Sequence, residues 1–80
     1  MTPNRRAKIE AMLNALATSP TAATFRQCGG SVTLAPQTNT ARFAGVTSSC
    51  TWNKDQHLIE GWMRIARRKI AVADFLERRP

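Results

Sequence analysis

The sequence predicts an α+β fold in a single small domain. The elements run α-β-β-β-α, with a three-stranded antiparallel meander covered on one face by both helices. Three observations carry this expectation. Both ends of the chain show apolar residues at helical spacing. The middle shows short alternating stretches punctuated by turn residues. The length of 80 residues suits one domain, which buries only roughly 60 to 65% of its unfolded surface.

The first helix is predicted over about residues 3–18. Thr2 is placed to cap it, and Pro3 suits the first helical position, where its missing N–H costs nothing. Ile9, Met12, Leu13 and Leu16 recur on one face, and Thr18-Ser19-Pro20 ends the helix.

Strands are predicted at about 23–28, 31–35 and 40–47. Gly29-Gly30 reads as a two-residue hairpin turn that sets Gln27 opposite Val32 and Phe25 opposite Leu34. A second turn at Pro36-Gln37-Thr38-Asn39 sets Leu34 opposite Ala41 and Val32 opposite Phe43. One face then collects Phe25, Val32, Leu34, Ala41 and Phe43. The other carries Arg26, Thr33 and Arg42 in a cross-strand row. The stretch "ARFAGVTSSCTW", residues 41–52, also has the local spelling of a helix-turn-helix. That reading fails where a recognition helix needs apolar contacts, because Thr51 and Lys54 stand there.

The last helix is predicted over about 54–79. "NKDQ", residues 53–56, resembles a capping box with Asn53 as N-cap, and Asp55 and the terminal Arg78 and Arg79 suit the helix dipole. Leu58, Ile59, Trp62, Met63, Ile65, Ala66, Ile70, Val72, Ala73 and Leu76 fall on one broad half. Arg64, Arg67, Arg68, Arg78 and Arg79 fall on the other. Lys69 lies within the apolar half and must snorkel, while Phe75 lies among the arginines. Such a helix is about 39 Å long, whereas six-residue strands span only about 20 Å. Part of it must overhang the sheet, so Ile70, Val72, Phe75 and Leu76 need cover from the first helix, a second copy or another protein. A bend at Gly61 would shorten the overhang.

The α-β-β-β-α order is shared with double-stranded-RNA-binding domains. The resemblance ends at topology. The Lys-rich start of their last helix is replaced here by "NKDQHLIE", and no residue is carried over.

The net charge is +7, from twelve Lys and Arg against five Asp and Glu. Residues 11–52 hold Arg26 and Arg42 and no acid, so positive charge is not confined to one tail. Such a balance suits acidic partners. "RR" at 5–6 is followed by an amphipathic stretch and not by an apolar leader, and no apolar run approaches the roughly 20 residues of a membrane span. The expected location is the cytoplasm, with Cys28 and Cys50 reduced and no membrane partner. In an oxidising compartment a bond between these cysteines would stabilise by about 3 kcal/mol.

Catalytic signatures are weak. Cys28, Cys50, Asp55 and His57 lack metal-ligand spacing. Ser48, Ser49 and Cys50 precede Asp55 and His57 without any nucleophile motif, and such loops are commonly Ser- and Asn-rich for capping. Glu60 and Glu77 suit salt bridges, and no Gly-rich phosphate loop occurs. The expectation is a non-enzymatic module with no cofactor and no metal. Its partner-binding residues are Arg64, Arg67, Arg68, Phe75 and Arg78 on the last helix, with Arg26 and Arg42 as a second surface. Nucleic acid or a nucleoprotein is the first expected partner, since the Arg fork suits phosphate. The alternative is a small inhibitor or regulator, of the phage or mobile-element type, docking on a host protein complex. A homodimer would also cover the surplus helix surface.

Overall fold

The computed structural model describes residues 2–35, 38–50 and 55–78. The elements are α1 (Pro3–Thr18), α2 (Ala22–Gln27), β1 (Ser31–Leu34), β2 (Asn39–Phe43), β3 (Val46–Cys50) and α3 (Asp55–Glu77). The two long helices and the antiparallel meander, in the order β1-β2-β3, are those expected. The short helix α2 is not.

α1 forms for the anticipated reasons. Thr2 accepts a hydrogen bond from the Arg5 N–H at 3.2 Å, Pro3 opens the helix, and Ile9, Met12 and Leu16 are buried. Pro20 follows its end, and Thr21 immediately caps α2, accepting from the Thr24 N–H at 3.2 Å. This second cap explains why residues 22–27 are helical where a strand at 23–28 was predicted. Ala22 and Phe25 are buried one turn apart, and the residues between them point outward. Gly29-Gly30 is accordingly not a hairpin turn but a Schellman C-cap. The Gly30 N–H donates to the Phe25 carbonyl at 2.8 Å and the Gly29 N–H to that of Arg26 at 3.0 Å. Gly29 has φ +97°, which favours glycine. A Cβ on Gly30 would lie 2.2 Å from the Phe25 ring. The predicted pairs of Gln27 with Val32 and Phe25 with Leu34 therefore do not form.

β1 pairs with β2 as Val32↔Ala41 and Leu34↔Asn39. This register is two residues away from the predicted one, because the connection spans 35–38 and not 36–39. An even shift leaves every side chain on its predicted face. The stretch expected as one strand at 40–47 is instead a hairpin. Ala44 (φ +50°) and Gly45 (φ +81°) form a two-residue turn with both central residues left-handed, and β3 continues to Cys50, paired Phe43↔Val46 through Asn39↔Cys50.

Helices gather on the inner sheet face, which carries Val32, Ala41, Phe43, Val46 and Ser48. α3 lies against β2 and β3. α1 runs antiparallel beside it: Arg6 meets Asp74 at one end, and Leu16 lies near Met63 at the other. Trp62, Phe25 and Phe43 meet at the centre, with ring centroids 5.0 to 6.3 Å apart. The Trp62 Nε1–H donates to the Val46 carbonyl at 3.1 Å. α3 runs through Gly61 without a break. That glycine instead permits close approach to β3, since a Cβ there would lie 3.0 Å from Ser48 Oγ. The predicted Asn53 cap and the core position Trp52 lie outside the described residues.

Two stability outcomes follow from this geometry. Gly30→Ala forces a Cβ into the Phe25 ring and should destabilise by at least about 2 kcal/mol in urea unfolding, with loss of α2 docking. Ala44→Asn, placing a residue that tolerates left-handed backbone in the turn, should stabilise by about 0.5–1 kcal/mol in the same assay.

Candidate basic binding surface

α3 buries Leu58, Ile59, Trp62, Met63, Ala66 and Ala73. Its opposite side is therefore committed to solvent, and there Arg64, Arg67, Arg68, Phe75 and Arg78 are all exposed. Helical geometry puts Arg64, Arg67, Phe75 and Arg78 within one sector and Arg68 at its edge. From Arg64 to Arg78 the face runs about 21 Å. Among the described residues no salt bridge holds Arg64, Arg67 or Arg68. Arg79 lies outside the described residues.

The ion pairs sit elsewhere. Arg6 of α1 reaches Glu10 at 3.0 Å, Asp74, and Glu77 at 3.7 Å. The hydrogen bond from the Arg6 guanidinium holds the Asp74 carboxyl below its usual range, helped by the charges of Arg6 and Arg78 and opposed by partial desolvation. The same hydrogen bond raises the Arg6 pKa further. The carboxylates of the last turns of α3 are thus drawn toward α1, away from the arginine face. Glu60, at the other end, accepts a hydrogen bond from Gln56 Nε2 at 3.1 Å.

Arg26 and Arg42 do not form the predicted row. Arg26 is exposed on α2, outside the sheet. Arg42 remains on the outer sheet face beside Ser31, Thr33 and Thr40, which line a shallow depression of about 210 Å³ with it. The second basic surface therefore reduces to one arginine among hydroxyls.

Ser48, Ser49, Cys50 and His57 do come together. With Gly61, Arg64 and Ile65 they line a depression of about 290 Å³ between β3 and the start of α3. Ser48 is nearly buried, and the Asp55 side chain lies outside the described part. Cys28 and Cys50 are not joined by a disulfide. Among the described residues no three His, Cys, Asp or Glu side chains cluster as metal ligands, and no helix is long and apolar enough to cross a membrane.

The overhang expected of the last helix is present. α3 spans about 34 Å against five-residue strands, and the longest dimension of the molecule is 46 Å. Ala73 is buried and Ile70 is half-buried. Val72, Phe75 and Leu76 stay 51%, 71% and 54% exposed. Lys69 is exposed too, and lines a groove with Ile65, Val72 and Leu76. Leu34, predicted on the apolar sheet face, is 58% exposed at the edge strand. No family model matches the chain, no curated protein is significantly similar in sequence, and no solved structure is significantly similar in fold.

The Arg6–Asp74 contact has a pH signature. A carboxyl whose folded pKa is depressed contributes stability in full above its unfolded value of about 3.9, and loses it as pH falls through the lower folded value. In thermal unfolding followed from pH 6 to pH 2, the Asp74→Asn variant should show a flatter acid limb than wild type below about pH 4.

Proposed function

We propose that the protein is a small, basic, non-enzymatic binding module of the cytoplasm that contacts nucleic acid or a nucleoprotein through the arginine face of α3. The observation that carries this reading is the separation of charge on α3 from Arg64 onward. Its arginines project on one exposed side of a buried helix, while Asp74 and Glu77 are drawn to Arg6 on another. Arg64, Arg67 and Arg68 are free to fork onto phosphate oxygens. A duplex carries a phosphate charge about every 1.7 Å of axis with both strands counted, so a 21 Å face laid along it spans a length that holds about twelve, of which those on the near side are within reach. Phe75, exposed between the arginines, offers a flat surface for a base or a partner side chain. Contacts of this kind are sequence-independent and position the protein without reading bases.

Anisotropy of labelled duplex and single-stranded DNA and RNA, across a salt series, tests the reading. Three to five phosphate contacts imply a slope of log K against log salt of about −3 to −4.5 on duplex DNA. Arg64→Glu/Arg67→Glu, at exposed positions, should abolish binding with an unchanged circular dichroism spectrum. Wild-type protein that fails to bind any of these probes at low salt would refute the proposal.

A further inference from the structure

The side of α3 that continues its sheet-facing stripe past the end of the sheet is a separate surface. Leu58, Trp62, Ile65, Lys69, Val72 and Leu76 follow one another at alternating spacings of four and three, the pattern by which one helix packs along another. Leu58 and Trp62 use it against the protein's own core. Ile65 is half-buried at the edge of the core, and from Lys69 onward the stripe is exposed. It lines a shallow groove of about 490 Å³, with Ile65, Lys69, Val72 and Leu76 along the floor and Arg68 and Ala73 at its margins.

The charge of the groove is one-sided. Among the described residues its only ionic groups are Arg68 and Lys69, and none of them brings a carboxylate into it. The two acids on the same turns, Asp74 and Glu77, are engaged by Arg6 on the α1 side. A second copy of this chain would bring an equally basic stripe against it. Lys69 and Arg68 of each copy would then lie in an apolar interface with no opposite charge, which disfavours self-pairing. A nucleic acid would leave Val72 and Leu76 unused. An acidic amphipathic helix satisfies both properties. Its apolar side covers Ile65, Val72 and Leu76 at matching spacing, and its carboxylates meet Arg68 and Lys69 along the flank.

We propose that this groove docks an acidic amphipathic α-helix of a partner protein. The docking does not require phosphate contact by the neighbouring arginine face, with which it shares Arg68. Lys69, in the middle of the apolar stripe, favours a partner carrying Glu or Asp opposite it and so contributes specificity more than affinity.

The test uses the full chain and labelled three-heptad peptides with Leu at the core positions. One peptide has Glu flanking the core and the other has Lys. Anisotropy is measured for wild type and for Val72→Ser/Leu76→Ser, an exposed and charge-neutral change, with light scattering in the same buffer and duplex DNA as a parallel probe. The expected result is saturable 1:1 binding of the Glu peptide, at least about tenfold weaker in the double variant. The Lys peptide should not bind, and duplex binding should be equal for both proteins. The inference is overturned by no binding of the Glu peptide, equal binding by the double variant, equal binding of the Lys peptide, or a wild-type dimer that the double variant dissociates. Loss of duplex binding in the double variant would assign the groove to the nucleic-acid surface and overturn it as well. A failure of duplex binding alone bears on the arginine face and leaves this inference standing.

Discussion

Trp62 is the contact on which the arrangement of the elements depends. Its ring is buried against Phe25 of α2 and Phe43 of β2, and its indole N–H is bound to the first carbonyl of β3. One side chain thus ties α3 to both helical and strand partners, in a domain too small to hold a second core. The hydrogen bond matters beyond its modest net energy, since it fixes how far along α3 the hairpin sits. Shifting α3 by one turn would withdraw the indole from Val46 and set a side chain against Ser48 where Gly61 now permits contact. The location of the sheet on the first half of α3 follows, and so does the exposed second half.

The two long helices were legible in the sequence because periodicity and caps agreed there. Thr2-Pro3 with Ile9, Met12 and Leu16 leaves little choice for α1. The middle was harder because each of its signals has two meanings. Gly29-Gly30 serves a tight hairpin and a Schellman cap equally well, and only Thr21, a cap directly after Pro20, separates the two. β3 was half missed because its inward positions after Val46 are Ser48 and Cys50, small residues that give no apolar alternation. Its turn was hidden because Ala44 takes the left-handed conformation that Asn usually fills. Alternation survived these errors in one respect. Arg42 faces out and Ala41 faces in whichever pairing is drawn, so that part of the surface was readable without the register.

The candidate surfaces were legible to a different degree. Exposure of Arg64, Arg67 and Arg68 follows from the α3 periodicity alone. Arg26 was misplaced together with α2. The groove could be anticipated as an amount of uncovered apolar surface, because helix length and strand length are both readable from sequence. Its position could not. That required knowing which half of α3 the sheet occupies, which Trp62 and Gly61 decide through contacts remote in sequence.

Beyond the sheet, α3 is held on one side only. Ile70 packs against the core, and Arg6 of α1 closes the end through Asp74 and Glu77. Exposed ion pairs are weak and screened by salt, so these turns belong to the least stable part of the molecule. A ligand that binds the folded helix stabilises it in proportion to its occupancy. The arginine face and the groove lie on the same turns, and each needs those turns helical. A partner on one surface therefore prepares the other by ordering a shared helix, with no change in the core. Arg68 opposes this coupling, because it borders both surfaces and can serve only one carboxylate or phosphate at a time. The balance of the two effects rests on this single side chain. Shared order favours simultaneous binding, and shared charge favours competition, the more strongly as salt is lowered.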